Sequence, residues 1–178
     1  ISTGIGQGYV SASPLQLAVM TARIATGRAV VPTMVRKPDF VLPDTPIFPS
    51  LQMPDTLLDP VRSGMMAVVN EPEGTGGKAR LKDSKILVAG KTGTSQVRKL
   101  ATSSSEKEEG DPDVWEDKDH ALFVCYFPAN APRFSMAAVI EHGGKGGAAA
   151  APIVRDVISM LLEEDPEMQT SALEQNRQ

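Results

Sequence analysis

Apolar residues recur along this chain in two rhythms, one helical and one of strand type. After Ser13, the residues Leu15, Ala18, Val19 and Ala22 fall three to four positions apart, which lines one face of a helix. Ser13-Pro14-Leu15-Gln16 is an efficient helix start: Ser13 as N-cap, Pro14 at the first position, and Gln16 three residues after the cap. Gly27 marks the C-terminal stop. Ala29 to Val35 is β-prone, and residues 38–60 are proline-rich and read as an irregular connection. Asp59-Pro60 opens a second helix by the same cap logic, with Val61, Met65, Val68 and Val69 as its apolar stripe and Asn70 at its end. The methionines here read as core filler. Glu71 to Gly77 is a turn-rich loop.

The rhythm then changes. Three segments read as strands: Lys85 to Gln96, Ala121 to Phe127 and Phe134 to His142. Ala129-Asn130-Ala131-Pro132 joins the last two, and so short a connection favours an antiparallel pair. The first two are separated by residues 98–120, several times longer than a hairpin loop, and such segments are functional or disordered. Trp115 there either docks the segment on a partner or the domain surface or anchors it locally, and the local reading is preferred. Gly143 to Gly147 is a flexible connector. Ala148 to Leu162 follows as a helix, with Pro152 tolerated near its start. Its apolar face (Ile153, Val157, Ile158, Leu161 and Leu162) is expected to pack on the sheet. From Glu163 to Gln178 the chain is polar and aperiodic, a frayed tail.

Composition narrows the classes. The 178 residues fit one domain or part of one, and a net charge of −4 gives no reason to expect a nucleic-acid partner. That charge is local, because residues 98–120 hold eight acids against four bases. One cysteine, Cys125, excludes an internal disulfide framework, and its apolar setting reads as a small buried hydrophobe. No apolar run approaches the ~18–20 residues that span a bilayer.

Chemistry concentrates at Lys91-Thr92-Gly93-Thr94, which closes the apolar run Ile86-Leu87-Val88-Ala89-Gly90. Strand alternation sets Lys91 and Gly93 on one face and Thr92 and Thr94 on the other. A glycine within a strand often marks close approach of a ligand or another backbone. A lysine and two hydroxyls around it suit a carboxylate. Competing sites are weaker. Gly74-Thr75-Gly76-Gly77 lacks the Gly-Lys-Ser/Thr of a phosphate loop and follows a helix, so it reads as a tight structural loop. His120 and His142 have no ligand partners at metal spacing and read as structural. No G-x-S-x-G supports a Ser-His-Asp triad, and the clustered acids offer no identifiable glycosidase pair.

K-T-G is one of three signatures of serine β-lactamases and penicillin-binding proteins, beside S-x-x-K and S-D-N. Two further blocks make the resemblance specific. Gly4-Ile5-Gly6-Gln7-Gly8-Tyr9-Val10, followed by Ser13-Pro14-Leu15-Gln16-Leu17-Ala18, resembles the segment after S-x-N in class B penicillin-binding proteins. His120-Ala121-Leu122-Phe123, Val139-Ile140-Glu141-His142-Gly143-Gly144 and Ala151-Pro152-Ile153 resemble the end of the same transpeptidase domain. The elongation-type enzymes, penicillin-binding protein 2, are the most similar group.

The resemblance implies an α/β (α+β) penicillin-binding protein/serine β-lactamase-like fold, an antiparallel sheet sandwiched by helices and incomplete in this chain. Residues 1–162 would be the C-terminal part of the domain, interrupted by the acidic 98–120 segment, with 163–178 as the tail. It implies a peptidoglycan D,D-transpeptidase that works through a serine acyl-enzyme without metal or cofactor. Lys91 would supply positive charge to the substrate carboxylate and the nearby hydroxyls, Thr92 and Thr94 hydroxyls to that carboxylate, Gly93 close approach, and the Thr94 N–H one oxyanion donor. Partners would be peptidoglycan stem peptides, β-lactams, a glycan polymerase of the elongation machinery and the upstream half of the domain. Location would be the periplasmic side of the cytoplasmic membrane, through an N-terminal anchor outside this chain.

One departure matters. The catalytic Ser-x-x-Lys and Ser-x-Asn are expected before Ile1, and no S-x-N triplet occurs in the 178 residues. Ser104-Ser105-Glu106-Lys107 spells S-x-x-K within a polar stretch with no apolar face, and reads as a solvated loop. This chain alone is therefore expected to be inactive, with an open sheet edge and exposed apolar faces. A D,D-carboxypeptidase or β-lactamase relative, and a non-catalytic β-lactam-sensing or protein-binding module of the same fold, remain as alternatives.

Overall fold

The computed structural model describes residues 11–35, 48–82, 85–97, 115 and 118–164. Its elements are α1 (Pro14–Thr26), α2 (Asp55–Asn70), a 3-10 turn (Gly77–Ala79), β1 (Ala89–Ser95), β2 (His120–Phe127), β3 (Phe134–Ile140) and α3 (Gly146–Glu164). The first helix starts as its sequence dictates. Ser13 Oγ accepts from the Gln16 N–H at 3.3 Å, and Gln16 Oε1 accepts from the Ser13 N–H at 2.7 Å. Gly27 ends it in the left-handed conformation, φ 65°. Along α1 the fully covered positions are Thr21 and Ala25, while Leu15 stays exposed.

α2 begins at Asp55, four residues before the predicted Asp59 cap, so Pro60 lies inside the helix. The extra turn buries Leu58, which together with Met65 and Val69 forms the covered stripe; Val61 is exposed. Arg62 holds α2 to α1. Its Nε donates 2.8 Å to the Ile24 carbonyl, and its other end reaches Asp59 at 2.9 Å and Asp55 at 3.3 Å. Ala29 to Val35 forms no strand. Among the described residues only Arg28 makes a β-bridge nearby, to Ser50, and no neighbouring strand supplies a ladder.

The sheet is three-stranded, order β1-β2-β3, and antiparallel throughout. Lys91 faces Val124 and Gly93 faces Leu122 in the β1–β2 register, while Val124 faces Ala137 in β2–β3. One sheet face carries Ala121, Phe123, Cys125 and Phe127, all fully buried against Ala150, Ala151, Val154 and Ile158 of α3. The other face carries Val124, Tyr126 and Ala89, packed with Ala25 of α1 and Met65 of α2. Helices therefore cover both faces, as expected for the fold.

α3 begins at Gly146, so Gly146 and Gly147 belong to the helix and not to a connector, and it continues through Glu164. Ile153 and Val157 were expected on the sheet but are exposed. With Pro14, Leu15 and Ala18 of α1 and Ser135 to Ala138 of β3, they line an open apolar groove of about 340 Å³. This groove wraps the outer edge of β3, which has no strand partner among the described residues. The segment Gly4–Val10, most of residues 98–120 and residues 165–178 lie outside the described residues.

Candidate functional site

β1 is the other edge of the sheet, so Lys91 to Thr94 lie on a strand paired on one side only among the described residues. The strand is fixed from behind. Ile86, Val88 and Ala89 are buried, and a β-carbon at Gly90 would lie 2.6 Å from the Phe123 ring, so the ring packs directly on the backbone there. Asn70 at the end of α2 donates its side-chain N–H to the Val88 carbonyl at 2.9 Å, and Ala129 N–H donates to the Leu87 carbonyl at 2.9 Å. The approach to the motif is thus tied to α2 on one side and to the β2–β3 turn on the other.

Within the motif, Lys91 is exposed and its Nζ donates to the Thr92 carbonyl at 2.8 Å. Thr92, half-buried, lies on the α3 face of the sheet, and its Oγ1 is 2.8 Å from Thr75 Oγ1. Gly93 approaches Leu122 closely, and the start of α3 crosses just above it: a β-carbon on Gly146 would sit 2.1 Å from the Leu122 carbonyl oxygen and 2.6 Å from that of Gly93. Thr94 is exposed on the same face as Thr92. The four predicted residues are therefore together on one accessible edge. Thr75 joins them, although the sequence marks it only as part of a tight loop. Its one visible signal is a hydroxyl set between Gly74 and Gly76, where the backbone can be brought close to its surroundings.

The far end of β1 is held by polar contacts. Val97 N–H donates to Asp119 Oδ1 at 3.2 Å, and Gly144 N–H donates to the Asp119 carbonyl at 2.8 Å. His142 N–H donates to His120 Nδ1 at 2.9 Å, and the two rings stand edge to face, centroids 4.7 Å apart. Trp115 packs on His142 just beyond β3, ring centroids 4.3 Å apart, so it docks on the surface of the domain and not on its own segment, against the local anchoring expected. These histidines are spent on structure, and among the described residues no group of three or more His, Cys, Asp or Glu is arranged to hold a metal ion. Cys125 and Tyr126 are enclosed in the core, and burial pushes the Cys125 thiol up from 9.0 to about 12 and raises the Tyr126 hydroxyl, so neither is presented to a substrate as a nucleophile. Ser104 and Lys107 lie outside the described residues. No helix among the described residues is long and apolar enough to cross a membrane.

Residues 1–159 match the family described as penicillin binding protein transpeptidase domain. Peptidoglycan D,D-transpeptidase MrdA of Haemophilus influenzae is 34% identical over 170 residues, covering 92% of this chain and 26% of that protein. The Salmonella typhimurium protein of the same name is 32% identical over 183 residues, 98% of this chain and 28% of that one. Among solved structures, Pseudomonas aeruginosa PBP2 in complex with WCK 5153 superposes with a TM-score of 0.68 at 34% identity, over 90% of this chain and 32% of that one. Helicobacter pylori PBP2, solved as a complex with MreC, gives 0.67 at 28% identity, over 92% of this chain and 27% of that one. The chain thus spans 26% to 28% of the length of these curated relatives. The match over nearly the whole chain and the shared fold lead to one assignment: the chain belongs to the penicillin-binding protein transpeptidase domain family.

Proposed function

We propose that this chain is the C-terminal part of a peptidoglycan D,D-transpeptidase that cross-links stem peptides through a serine acyl-enzyme and is acylated by β-lactams. The observation that carries the reading is an intact Lys91-Thr92-Gly93-Thr94 on an open sheet edge in a chain of this family. The upstream part of the domain brings the serine and its lysine base to that edge. Lys91 then holds positive charge against the substrate carboxylate and the serine network, and the Thr92 and Thr94 hydroxyls donate to the same carboxylate. Gly93 lets the peptide lie against the strand.

The Thr94 N–H serves as one oxyanion donor, paired with the N–H of the serine. What supports this is parity along the strand. The Thr92 carbonyl accepts from the exposed Lys91 Nζ at 2.8 Å, which fits a carbonyl turned away from β2. In an antiparallel pair, the polar backbone groups of alternate residues point the same way, so Thr94 shares that orientation. A donor fixed before the reaction stabilises the developing negative charge without reorganising, and one such donor contributes ~3–4 kcal/mol to the rate.

The second part of the proposal concerns the opposite edge. The upstream part covers the outer edge of β3 and the apolar groove between α1 and α3. Unpaired strand groups and clustered apolar side chains are aggregation-prone when left open. The protein works on the periplasmic side of the cytoplasmic membrane, held by an anchor in the upstream part and supplied with glycan by a polymerase of the elongation machinery. The Helicobacter pylori neighbour's complex with MreC supports a place in such an assembly.

The test is intact-mass analysis after incubation with a β-lactam, on this chain alone and on it joined with its upstream part, with melting followed in parallel. Acylation confined to the joined protein, on a serine upstream, together with a higher melting temperature, is the expected result. Acylation of this chain alone, on Ser104 or another of its serines, overturns it. Absence of acylation in a folded joined protein points instead to the non-catalytic module.

A further inference from the structure

Thr75 has no part in the motif, yet its hydroxyl oxygen lies 2.8 Å from that of Thr92, seventeen residues away. The contact is built by the backbone around it. The loop folds back onto the end of α2: Gly74 N–H donates to the Glu71 carbonyl at 3.1 Å and Gly76 N–H to the Val68 carbonyl at 2.9 Å. A β-carbon on Gly74 would lie 2.3 Å from the Val68 oxygen, so only glycine allows this approach. From the other side α3 closes in. A β-carbon on Gly147 would meet the Thr75 carbonyl oxygen at 2.1 Å and the Thr92 methyl at 3.4 Å. The Thr75 backbone is thus held between the end of α2 and the start of α3, while its exposed side chain turns the hydroxyl to Thr92.

We propose that Thr75 is a positioning residue for the substrate carboxylate, acting by fixing the direction of the Thr92 hydroxyl. The inference rests on the reading above that Thr92 donates to that carboxylate. Each hydroxyl has one hydrogen to give. If Thr92 gives its hydrogen to Thr75, its lone pairs face the incoming anion and repel it. If Thr75 gives its hydrogen to Thr92, the Thr92 hydrogen is free for the carboxylate. Binding selects the second arrangement, a two-hydroxyl relay in which accepting from Thr75 also polarises the Thr92 O–H and strengthens its donation. Thr92 is β-branched and rotates poorly about χ1, so a partner on one side sets its aim toward the other.

The experiment uses the full-length protein and the second-order rate of acylation by a penicillin and by its uncharged methyl ester. Thr75→Val and Thr75→Ala are expected to slow the penicillin about tenfold and the ester by less than about twofold, the size expected for a hydrogen bond to a charged group. Thr75→Ser, which keeps the hydroxyl, is expected to restore most of the rate. The double variant Thr75→Val/Thr92→Val should be no slower than Thr92→Val alone, because one relay has been broken twice. Equal slowing of penicillin and ester by Thr75→Val and Thr75→Ala would reduce Thr75 to a structural loop residue and overturn the proposal. So would an unchanged penicillin rate in those variants when Thr92→Val is slow. An unchanged rate in Thr92→Val itself overturns the carboxylate reading first, and the relay with it.

Discussion

Gly146 stacks on the backbone of Gly93: a β-carbon on the first would lie 2.6 Å from the carbonyl oxygen of the second and 3.1 Å from its nitrogen. Two glycines from distant parts of the chain meet where α3 crosses β1. The contact gives α3 a role beyond covering the sheet, since its first turn is a back wall for the motif strand. The atoms a methyl group would strike are backbone atoms of paired strands and cannot swing aside.

Gly146→Ala is therefore expected to destabilise the protein by about 1–3 kcal/mol or more through overpacking. It should also slow β-lactam acylation, because relief requires β1 or α3 to move. Denaturant unfolding and acylation rates of the full-length variant check both. Gly144→Ala is the contrast. Its β-carbon would meet nothing within 4 Å, so its cost comes only from the φ of 75°.

The two roles proposed for Thr94, oxyanion donor and carboxylate hydroxyl, can be separated by substitution. Thr94→Ala removes the hydroxyl and keeps the N–H, while Thr94→Pro removes both. Proline is tolerated on an edge strand whose N–H faces outward, so Thr94→Pro is expected to fold. Its acylation rate should fall by about 10²–10³ beyond that of Thr94→Ala, the usual cost of one oxyanion donor. Equal rates in the two folded variants would remove the backbone donor from the mechanism.

The helix start at Ser13 was legible because a capping box is local chemistry: Ser13 and Gln16 satisfy each other's backbone groups wherever the helix packs. The same local logic misplaced the start of α2. Asp59-Pro60 looks like a cap, but burial of Leu58 and the bonds of Arg62 to Asp55 and Asp59 reward an extra turn, despite the amide hydrogen that Pro60 lacks. Ala29 to Val35 has strand propensity but no partner strand among the described residues, and propensity cannot create one. Of the candidate site, the shared strand of Lys91 to Thr94 was legible because these residues are contiguous. Thr75 was not, since its pairing with Thr92 depends on how α2, α3 and β1 converge.

Arg62 is the main polar tie between α1 and α2 and should be worth more than its ion pairs. Both carboxylates are exposed, at 77% and 62%, so water screens them heavily. The 2.8 Å bond to the Ile24 carbonyl is partly buried, and a bond from a charged donor contributes about 1.5–3 kcal/mol. Arg62→Met, which keeps much of the stem packing, is expected to cost about that much. Asp55→Asn and Asp59→Asn should each cost under about 1 kcal/mol. Thermal unfolding of the three variants decides; similar losses in all three would place the energy in the ion pairs.

Cys125 provides a pH signature of the core. It is fully buried between β1 and β3, and desolvation outweighs the backbone hydrogen bond at Met136, so its thiol rises from 9.0 to about 12. Between those values the unfolded chain releases the thiol proton and the folded one keeps it. The folded state then binds more protons, and stability falls as pH rises, by up to roughly 1.4 kcal/mol per pH unit from this group. The contribution is fully present below about pH 9 and is lost as pH rises through about 12. Tyr126, also raised by burial, acts in the same direction at higher pH. Cys125→Ala should flatten the fall in stability between pH 9 and pH 10 while lowering stability at neutral pH through the space left by sulfur. In the parent protein the thiol should resist iodoacetamide at pH 8 and react on unfolding. Rapid alkylation of the folded protein, or an unchanged slope in Cys125→Ala, would mean that the core opens at Cys125 far more readily than its packing between β1, β3 and α3 implies.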